Sequence, residues 1–319
     1  MELDNKDREI LYQLDCNARQ SNKKIAKSMK GSKSSVGYRI NNLIDKKIIT
    51  GFSADLDLAK FGYTLYKIYL QFQNINECTE KKIYDYLLKK TSGVWIVKCN
   101  GKYDAIFAFQ AKDIIEFENT KNEIINKFSK YILNKQIVVN LRYYLYNRKW
   151  LIEDYKQTRI KVYGGLADKE NFDGIDLIIM REITLNSRIT ILELAKKANI
   201  SAPQVIYRIK KLIEKEVLVR FTTNIDLKKL GYEYCKALVY FQSYLPERKK
   251  EFIDYCSKHP NIIAIVDVIG PWDIELEFEV KNFEEYMNIM AEMRKKFPDI
   301  IRNFESVVIT KESGRLYKI

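Results

Sequence analysis

Two short basic stretches hold the side chains of this sequence that are best suited to chemistry. SKSSVGYRINNLIDKKIITGF runs from Ser32 to Phe52, and SAPQVIYRIKKLIEKEVLVRF runs from Ser201 to Phe221. At helical spacing Val36, Ile40, Leu43 and Ile44 share one face, as do Val205, Ile209, Leu212 and Ile213 in the second stretch. The opposite faces present Lys33, Ser34, Ser35, Tyr38, Arg39 and Asn42, and then Ala202, Pro203, Gln204, Tyr207, Arg208 and Lys211. Lysine neutralises phosphate, asparagine and glutamine match two groups on an adenine edge, and arginine matches guanine. The chemistry on offer is recognition of a polyanion with readable edges, without bond breaking. Lys33 and Lys211 suit phosphates, and Asn42 and Gln204 suit adenine. Two alternatives stay open. Arg39 can instead pair with Asp4 and Asp7, and Arg208 with Asp173 and Asp176. Tyr38 and Tyr207 can lie half-buried rather than reach a ligand.

These stretches need a frame, and the chain supplies it twice. Tyr38-Arg39-Ile40 and Tyr207-Arg208-Ile209 lie 169 residues apart. The same offset brings NAR at 17–19 onto NSR at 186–188, and Gly101-Lys102-Tyr103-Asp104 onto Gly270-Pro271-Trp272-Asp273. About a third of positions are identical over 3–73 against 172–242, a duplication rather than chance. Each copy opens with three short helices, announced by the N-capping residues Asp4, Ser21 and Ser32 and by Asp173, Thr190 and Ser201. A β-rich wing follows, IITGFSADLDL in the first copy. The rest of each copy reads strand, helix, hairpin, helix, strand. In the first copy the hairpin is expected around Asn100-Gly101, because Asn-Gly suits positive φ. The expected fold class is α+β: two winged helix-turn-helix domains, each followed by a ferredoxin-like βαββαβ domain. Expected boundaries are 1–58, 59–146, a linker at 147–171, 172–227 and 228–319. The linker reads as a short helix and a flexible passage through Gly164-Gly165, with Trp150 and Leu151 docked.

Composition agrees with a recognition role. The 319 residues are 46% hydrophobic and 30% charged, with net charge +13, which favours a polyanionic partner. No apolar run approaches the ~20 residues of a membrane span, so no membrane association is expected. The opening MELDNKDREI lacks the apolar core of a secretory signal. Cys16, Cys78, Cys99, Cys235 and Cys256 are scattered without a CxxC pair, which speaks against a zinc ribbon and for a reducing cytoplasm. His259 is the one histidine. No metal constellation, phosphate loop or nucleophile–base set is visible, so neither cofactor nor catalysis is expected.

The first copy carries LDNKDREILYQLDCNAR, SSVGYRINNLIDKKIITGF, LDLAKFGY and GKYD; the second carries FDGIDLIIMREITLNSR, APQVIYRIKKLIEKEVLVRF, IDLKKLGY and GPWD. In this order, and over nearly the whole of both copies, the chain resembles the Lrp/AsnC family of feast/famine transcription regulators. Family chains usually hold one copy and dimerise, so this chain resembles a covalent pseudo-dimer. The resemblance implies that the third helix of each copy enters the major groove of double-stranded DNA. It implies self-association through the βαββαβ domains, with the two sheets packed face to face. Tyr63, Tyr69, Phe107 and Phe109 would be buried there with Tyr232, Leu238, Leu276 and Phe278, some of them turned to their own helices. It also implies a small effector, often an amino acid, at the hairpin turn of that domain. The matching positions are Asn100, Gly101, Tyr103 and Asp104, and Gly270, Trp272 and Asp273. A plain turn closed by the aspartate is the other reading. Where the family usually has glycine before the wing, this chain has Lys47 and Glu216. The sirohaem decarboxylases share the fold and include tandem fusions, but they carry His- and Arg-rich substrate motifs, which a chain with one histidine lacks.

Overall fold

The computed structural model describes residues 3–90, 94–153, 160–242 and 245–314. Asp4 caps α1 (Asn5–Cys16) by accepting the Asp7 N–H, Ser21 caps α2 (Asn22–Ser28) through Lys24, and Ser32 caps α3 (Lys33–Asp45) through Ser35. Their apolar sides meet in one core that includes Leu11, Leu14, Ile25, Val36 and Ile40. β1 (Ile49–Leu56) follows, then β2 (Thr64–Phe72), α4 (Glu77–Lys90), β3 (Val94–Gly101), β4 (Ala105–Ala111), α5 (Ile114–Phe128) and β5 (Ile132–Leu145). Among the described residues the connection to the second copy holds a 3-10 turn at Lys149–Leu151 and a short strand, β6 (Lys161–Gly164), at the expected passage through Gly164; 154–159, on which the expected short helix also falls, lie outside the described residues. Leu151 joins the first helical core, and Trp150 stacks on Tyr232 with ring centroids 4.0 Å apart.

The second copy repeats the order: α6 (Gly174–Leu185), α7 (Ile191–Ala198), α8 (Ala202–Glu214), β7 (Leu218–Ile225), β8 (Glu233–Phe241), α9 (Pro246–Lys258), β9 (Ile262–Ile269), β10 (Ile274–Val280), α10 (Phe283–Lys296) and β11 (Ile301–Ser313). Lys47 and Glu216 take left-handed backbone, with φ of 55° and 57°, so the turn after each third helix forms without glycine.

The strand after each third helix is shared between copies. β1 pairs antiparallel with β7, Ser53 opposite Thr222. Ala54 and Leu56 consequently pack into the second copy's helical core, and Ile225 packs against the first. Two arginines at equivalent positions close this junction. Arg19 Nη1 donates to the carbonyls of Ser187 (2.6 Å) and Ile189 (3.1 Å). Arg188 Nη1 donates to those of Ala18 (2.8 Å) and Gln20 (3.3 Å). The two helix-turn-helix units are therefore one body.

The two sheets also merge. β5 pairs with β2 over 132–139 and with β9 over 139–145. β11 pairs with β8 over 301–309 and with β3 over 307–313. Each long last strand starts in its own sheet and ends on the edge of the other. The strand order β2-β4-β3-β11-β8-β10-β9-β5 closes through the β5–β2 pairing into a ring of eight, with β6 added on β5. Closure pairs both sides of the eight ring strands, and β6 and the β1–β7 pair keep the remaining strand edges. The expected face-to-face packing is thus an edge-joined ring. Tyr69 and Leu238 point into it, while Phe107, Phe109, Leu276 and Phe278 turn outward to their own helices, as strand alternation requires.

The inside of the ring holds a charged cluster as well as apolar side chains. Glu275 Oε2 accepts from Lys67 Nζ at 2.6 Å and from Lys236 Nζ at 2.7 Å, and its Oε1 accepts from Tyr69 at 2.6 Å. Lys236 also reaches Glu277 at 3.0 Å. Lys67, Lys236 and Glu275 are all buried. Burial alone would raise the Glu275 carboxyl pKa, but the Lys236 and Lys67 ammonium groups outweigh it and hold it down to about 2. Glu275→Gln would leave two buried ammonium groups sharing Glu277, and breaking such a pair costs about 3–5 kcal/mol. Urea unfolding at pH 7, followed by circular dichroism, should show that loss. Because the folded-state pKa lies below the ordinary 4.5, the Glu275 contribution is complete above that pH and is lost as pH falls toward 2. Acid should therefore destabilise the native protein more steeply in that window than it destabilises Glu275→Gln.

Candidate nucleic-acid interface

Packing decides which side of α3 and α8 stays open. Val36, Ile40 and Leu43, and likewise Val205, Ile209 and Leu212, are buried against the helices that precede them. Lys33, Ser34, Ser35, Tyr38, Gln204, Tyr207 and Lys211 are consequently exposed, whereas Asn42 and Ala202 are only half-exposed. Tyr38 is 74% exposed and Tyr207 65%, so the half-buried alternative does not hold for either. Ile44 and Ile213, expected on the buried faces, are 39% and 43% exposed. Each sits one residue beyond the last buried leucine, where the helix has already turned away from its core.

The two arginines take the structural alternative. Arg39 Nη1 lies 2.7 Å from both Asp4 Oδ2 and Asp7 Oδ1. Arg208 Nη1 lies 2.8 Å from both Asp173 Oδ2 and Asp176 Oδ1. The hydrogen bonds that each arginine donates to its aspartates push its pKa up. These pairs tie the third helix of each copy to the cap of its first helix, so they fix the angle of the open face rather than standing on it. Gln204 is also engaged: its Oε1 accepts from the Ser201 N–H and hydroxyl, both at 2.9 Å, completing a capping box. A two-point contact with adenine would need that oxygen and so would cost the cap. Lys33 and Lys211 are exposed and form no ion pair among the described residues, whereas Lys210, also exposed on α8, lies 3.5 Å from Glu214.

One basic surface was missed in reading the sequence. α2 and its end carry the exposed lysines Lys23, Lys24, Lys27 and Lys30, in a helix that crosses the phosphate backbone when a helix-turn-helix docks. The equivalent positions of the second copy are Leu192, Glu193, Lys196 and Asn199. The signal was legible as NKKIAKSMK, but attention to the third helix alone passes over it.

The hairpin turns are built into the ring. β3 continues through Asn100 and Gly101, so the chain reverses over Lys102-Tyr103-Asp104 and not at Asn-Gly. Gly101 has φ of 120°, and a Cβ there would lie 2.7 Å from the Ser306 carbonyl oxygen. Tyr103 and Trp272 are buried inside the ring, where both pack against Tyr69 at centroid distances of 5.2 and 4.7 Å. Asp104 Oδ2 accepts the Phe72 N–H, and Asp273 Oδ2 the Phe241 N–H, each at 2.7 Å. Tyr103, Trp272 and both aspartates thus hold strands together. Asn100 and Gly270 remain exposed beside them.

His259 stands at the end of α9, half-buried, with Nδ1 accepting the Asn261 N–H at 3.2 Å. Burial, with the nearby Lys149 charge, pushes its pKa down to about 4, so the imidazole is neutral at pH 7. Among the described residues no group of three or more His, Cys, Asp or Glu could hold a metal ion, and no helix is long and apolar enough to cross a membrane.

A family model for winged helix-turn-helix DNA-binding domains matches the chain twice, at residues 3–50 and 172–219. The chain is similar to the transcriptional regulator AzlB of Bacillus subtilis, 29% identical over 141 residues that make up 44% of this chain and 90% of that protein. It is also similar to the HTH-type transcriptional regulator PF0250 of Pyrococcus furiosus, 30% identical over 132 residues, 41% of this chain and 88% of the relative. Each relative is matched almost whole by less than half of this chain, as the internal repeat requires. Among solved structures, the sirohaem decarboxylase NirDL superposes with a TM-score of 0.63 over 98% of this chain and 94% of its own, at 12% identity. That likeness shows the tandem fold. The duplicated helix-turn-helix, its βαββαβ companion and the identity to single-copy regulators lead to one conclusion: the chain belongs to the Lrp/AsnC family of helix-turn-helix transcription regulators, with two family units fused in tandem.

Proposed function

We propose that this regulator binds double-stranded DNA as a single-chain pseudo-dimer, in the cytoplasm, and carries out no catalysis. The observation that supports this best is the junction built by β1, β7, Arg19 and Arg188. It joins two outward-facing recognition helices into one body, as a family dimer would by association. Lys33, Ser34, Ser35 and Tyr38 of α3, Tyr207 and Lys211 of α8, and the four lysines of α2 are the proposed contacts. Arg39 and Arg208 act one step back, by aiming the helices. Gln204 contributes through its cap, and Asn42 and Ala202 lie at the margin.

A catalytic reading draws on the whole-chain likeness to NirDL. The single histidine speaks against it, since it is neutral, half-buried and hydrogen-bonded to the backbone. Incubation with sirohaem should give neither a spectral change nor carbon dioxide; release of carbon dioxide would establish the enzyme.

Two helix-turn-helix units neutralising roughly 6–8 phosphates give a log–log salt slope of about −5 to −7. Fluorescence anisotropy on a DNA library between 50 and 300 mM salt should show it, and absence of binding at low salt would end the proposal. Lys33→Ala and Lys211→Ala should each flatten the slope by about 1 with no change in thermal stability.

The two halves of the bound site should also differ. A homodimer presents identical surfaces and so favours a palindrome. Here α2 offers four lysines where α7 offers Leu192, Glu193, Lys196 and Asn199, and α3 offers Lys33-Ser34-Ser35 where α8 offers Ala202-Pro203-Gln204. In vitro selection should recover asymmetric sites, with hydroxyl-radical protection extending farther on the side of the first copy. Recovery of clean palindromes would contradict this.

A further inference from the structure

Between the β1–β7 pair and the mouth of the strand ring lies a cavity of about 550 Å³. That volume is in the range that holds small organic ligands. Its wall is drawn from both modules: Asp55, Thr222 and Thr223 from the DNA-binding side, and Lys67, Asn140 and Tyr143 from the ring. None of the hairpin-turn positions at which the family resemblance places an effector lines it.

Three residues of this wall carry a buried polar atom that finds no hydrogen-bond partner among the described residues: Asn140 Oδ1, Tyr146 OH and Thr223 Oγ1. Thr223 is 1% exposed, Tyr146 2% and Asn140 7%. Buried polar groups are as a rule hydrogen-bonded, so three around one cavity mark a place where hydrogen bonds are to be completed by something else. All three sit on elements that meet there, Thr223 on β7, Asn140 on β5 and Tyr146 just after it.

The charge of the wall selects among ligands. Asp15, Asp55, Asp57, Glu277, Glu279 and Glu312 contribute carboxylates. Lys67, Arg148 and Arg220 contribute the cations described there, and each is already engaged. Arg148 bridges Asp15 at 2.7 Å and Glu279 at 2.9 Å, Arg220 holds Asp55 at 2.8 Å, and Lys67 is committed to Glu275. Asp57 Oδ1 accepts the Ala59 N–H at 3.0 Å, and its side chain forms no ion pair among the described residues. In a chain of net charge +13 this cavity is locally acidic. The rest of its wall mixes aliphatic side chains such as Leu56, Leu65, Leu141 and Ile225 with Tyr63, Trp95, Tyr143 and Tyr163, rings of the kind that attract cations, Tyr143 and Trp95 already carrying Lys67 and Lys236. A carboxylate-rich ligand would meet repulsion here.

We propose that this cavity is a binding site for a small organic cation, an ammonium or guanidinium group on an apolar body, which hydrogen-bonds Thr223 and Asn140 and lies against the acidic and aromatic wall. Such a ligand touches the strand pair that joins the recognition helices and the ring beneath it at once. The claim concerns binding alone and stands apart from the DNA reading, so its measurement is made without DNA.

Isothermal titration of the full chain with agmatine, putrescine and tyramine tests it, with glutamate as the anionic control. At least one of the three cations should bind saturably at one site per chain, and glutamate should not. Thr223→Val, which removes a hydroxyl at nearly constant volume, should weaken that cation about 3- to 10-fold, the loss of one hydrogen bond. Asp57→Asn, on another part of the wall, should weaken it too while keeping the acceptor used by Ala59. Circular dichroism confirms that both variants fold. Failure of all three cations to bind overturns the proposal, as does glutamate binding as tightly, or unchanged affinity in both folded variants.

Discussion

The structure depends on a buried carboxylate held between two lysines that the duplication placed in equivalent positions. Lys67 and Lys236 are partners under the repeat, 169 residues apart. The carboxylates that neutralise them are not: Glu275 and Glu277 belong to the second copy, and the first copy has Ile106 and Ala108 there. Two first copies paired with each other would bury two lysines with no counter-charge. Two second copies would bury four glutamates on two lysines. Either arrangement carries an uncompensated charge in the ring, which costs several kcal/mol per ion. One copy of each satisfies the cluster, so the halves of this chain are made for each other, and the ring that holds Glu275 closes only between unlike copies.

From the ring the constraint passes to the DNA-binding side through Arg148. Its guanidinium reaches Asp15 at the end of α1, Glu279 on β10 and the Thr223 carbonyl on β7. Asp15 and Glu279 are buried, and the Arg148 charge is what makes that tolerable. These groups again have no counterpart under the repeat, since Thr184 stands where Asp15 would recur and Gln110 where Glu279 would. The junction above them, by contrast, is nearly symmetric: Arg19 and Arg188 exchange equivalent bonds, and β1 and β7 pair about their midpoint. Symmetry is kept where two recognition helices must be matched, and is lost where the copies must tell each other apart.

Much of this was legible in the sequence. The caps, the buried faces of α3 and α8 and the βαββαβ order follow from local patterns that packing did not override. What was not legible was which copy a residue would touch. NAR and NSR announce equivalent arginines, but nothing local says that each donates across to the other copy's backbone. The strand after the third helix has the β-forming composition of a wing whether it pairs within its copy or outside it. Gln204 has the right type and place to read a base, and the same side chain closes a capping box, a competition settled by local hydrogen bonds. Asn100-Gly101 has the signature of a two-residue turn, yet a strand from the other copy pairs alongside and keeps both residues in β3, where glycine serves the positive φ and the close approach of Ser306. The cavity between the modules was invisible, because its wall is assembled from segments far apart in the chain.

If unlike copies are matched through Glu275, two fragments, one spanning residues 3–153 and the other 160–314, should find each other when produced separately and mixed. Native mass spectrometry of the mixture is the direct measurement. The account predicts a one-to-one complex of unlike fragments that displaces any self-paired species. Like fragments pairing as readily as unlike ones would show that the buried lysine–glutamate cluster does not decide how the ring is built.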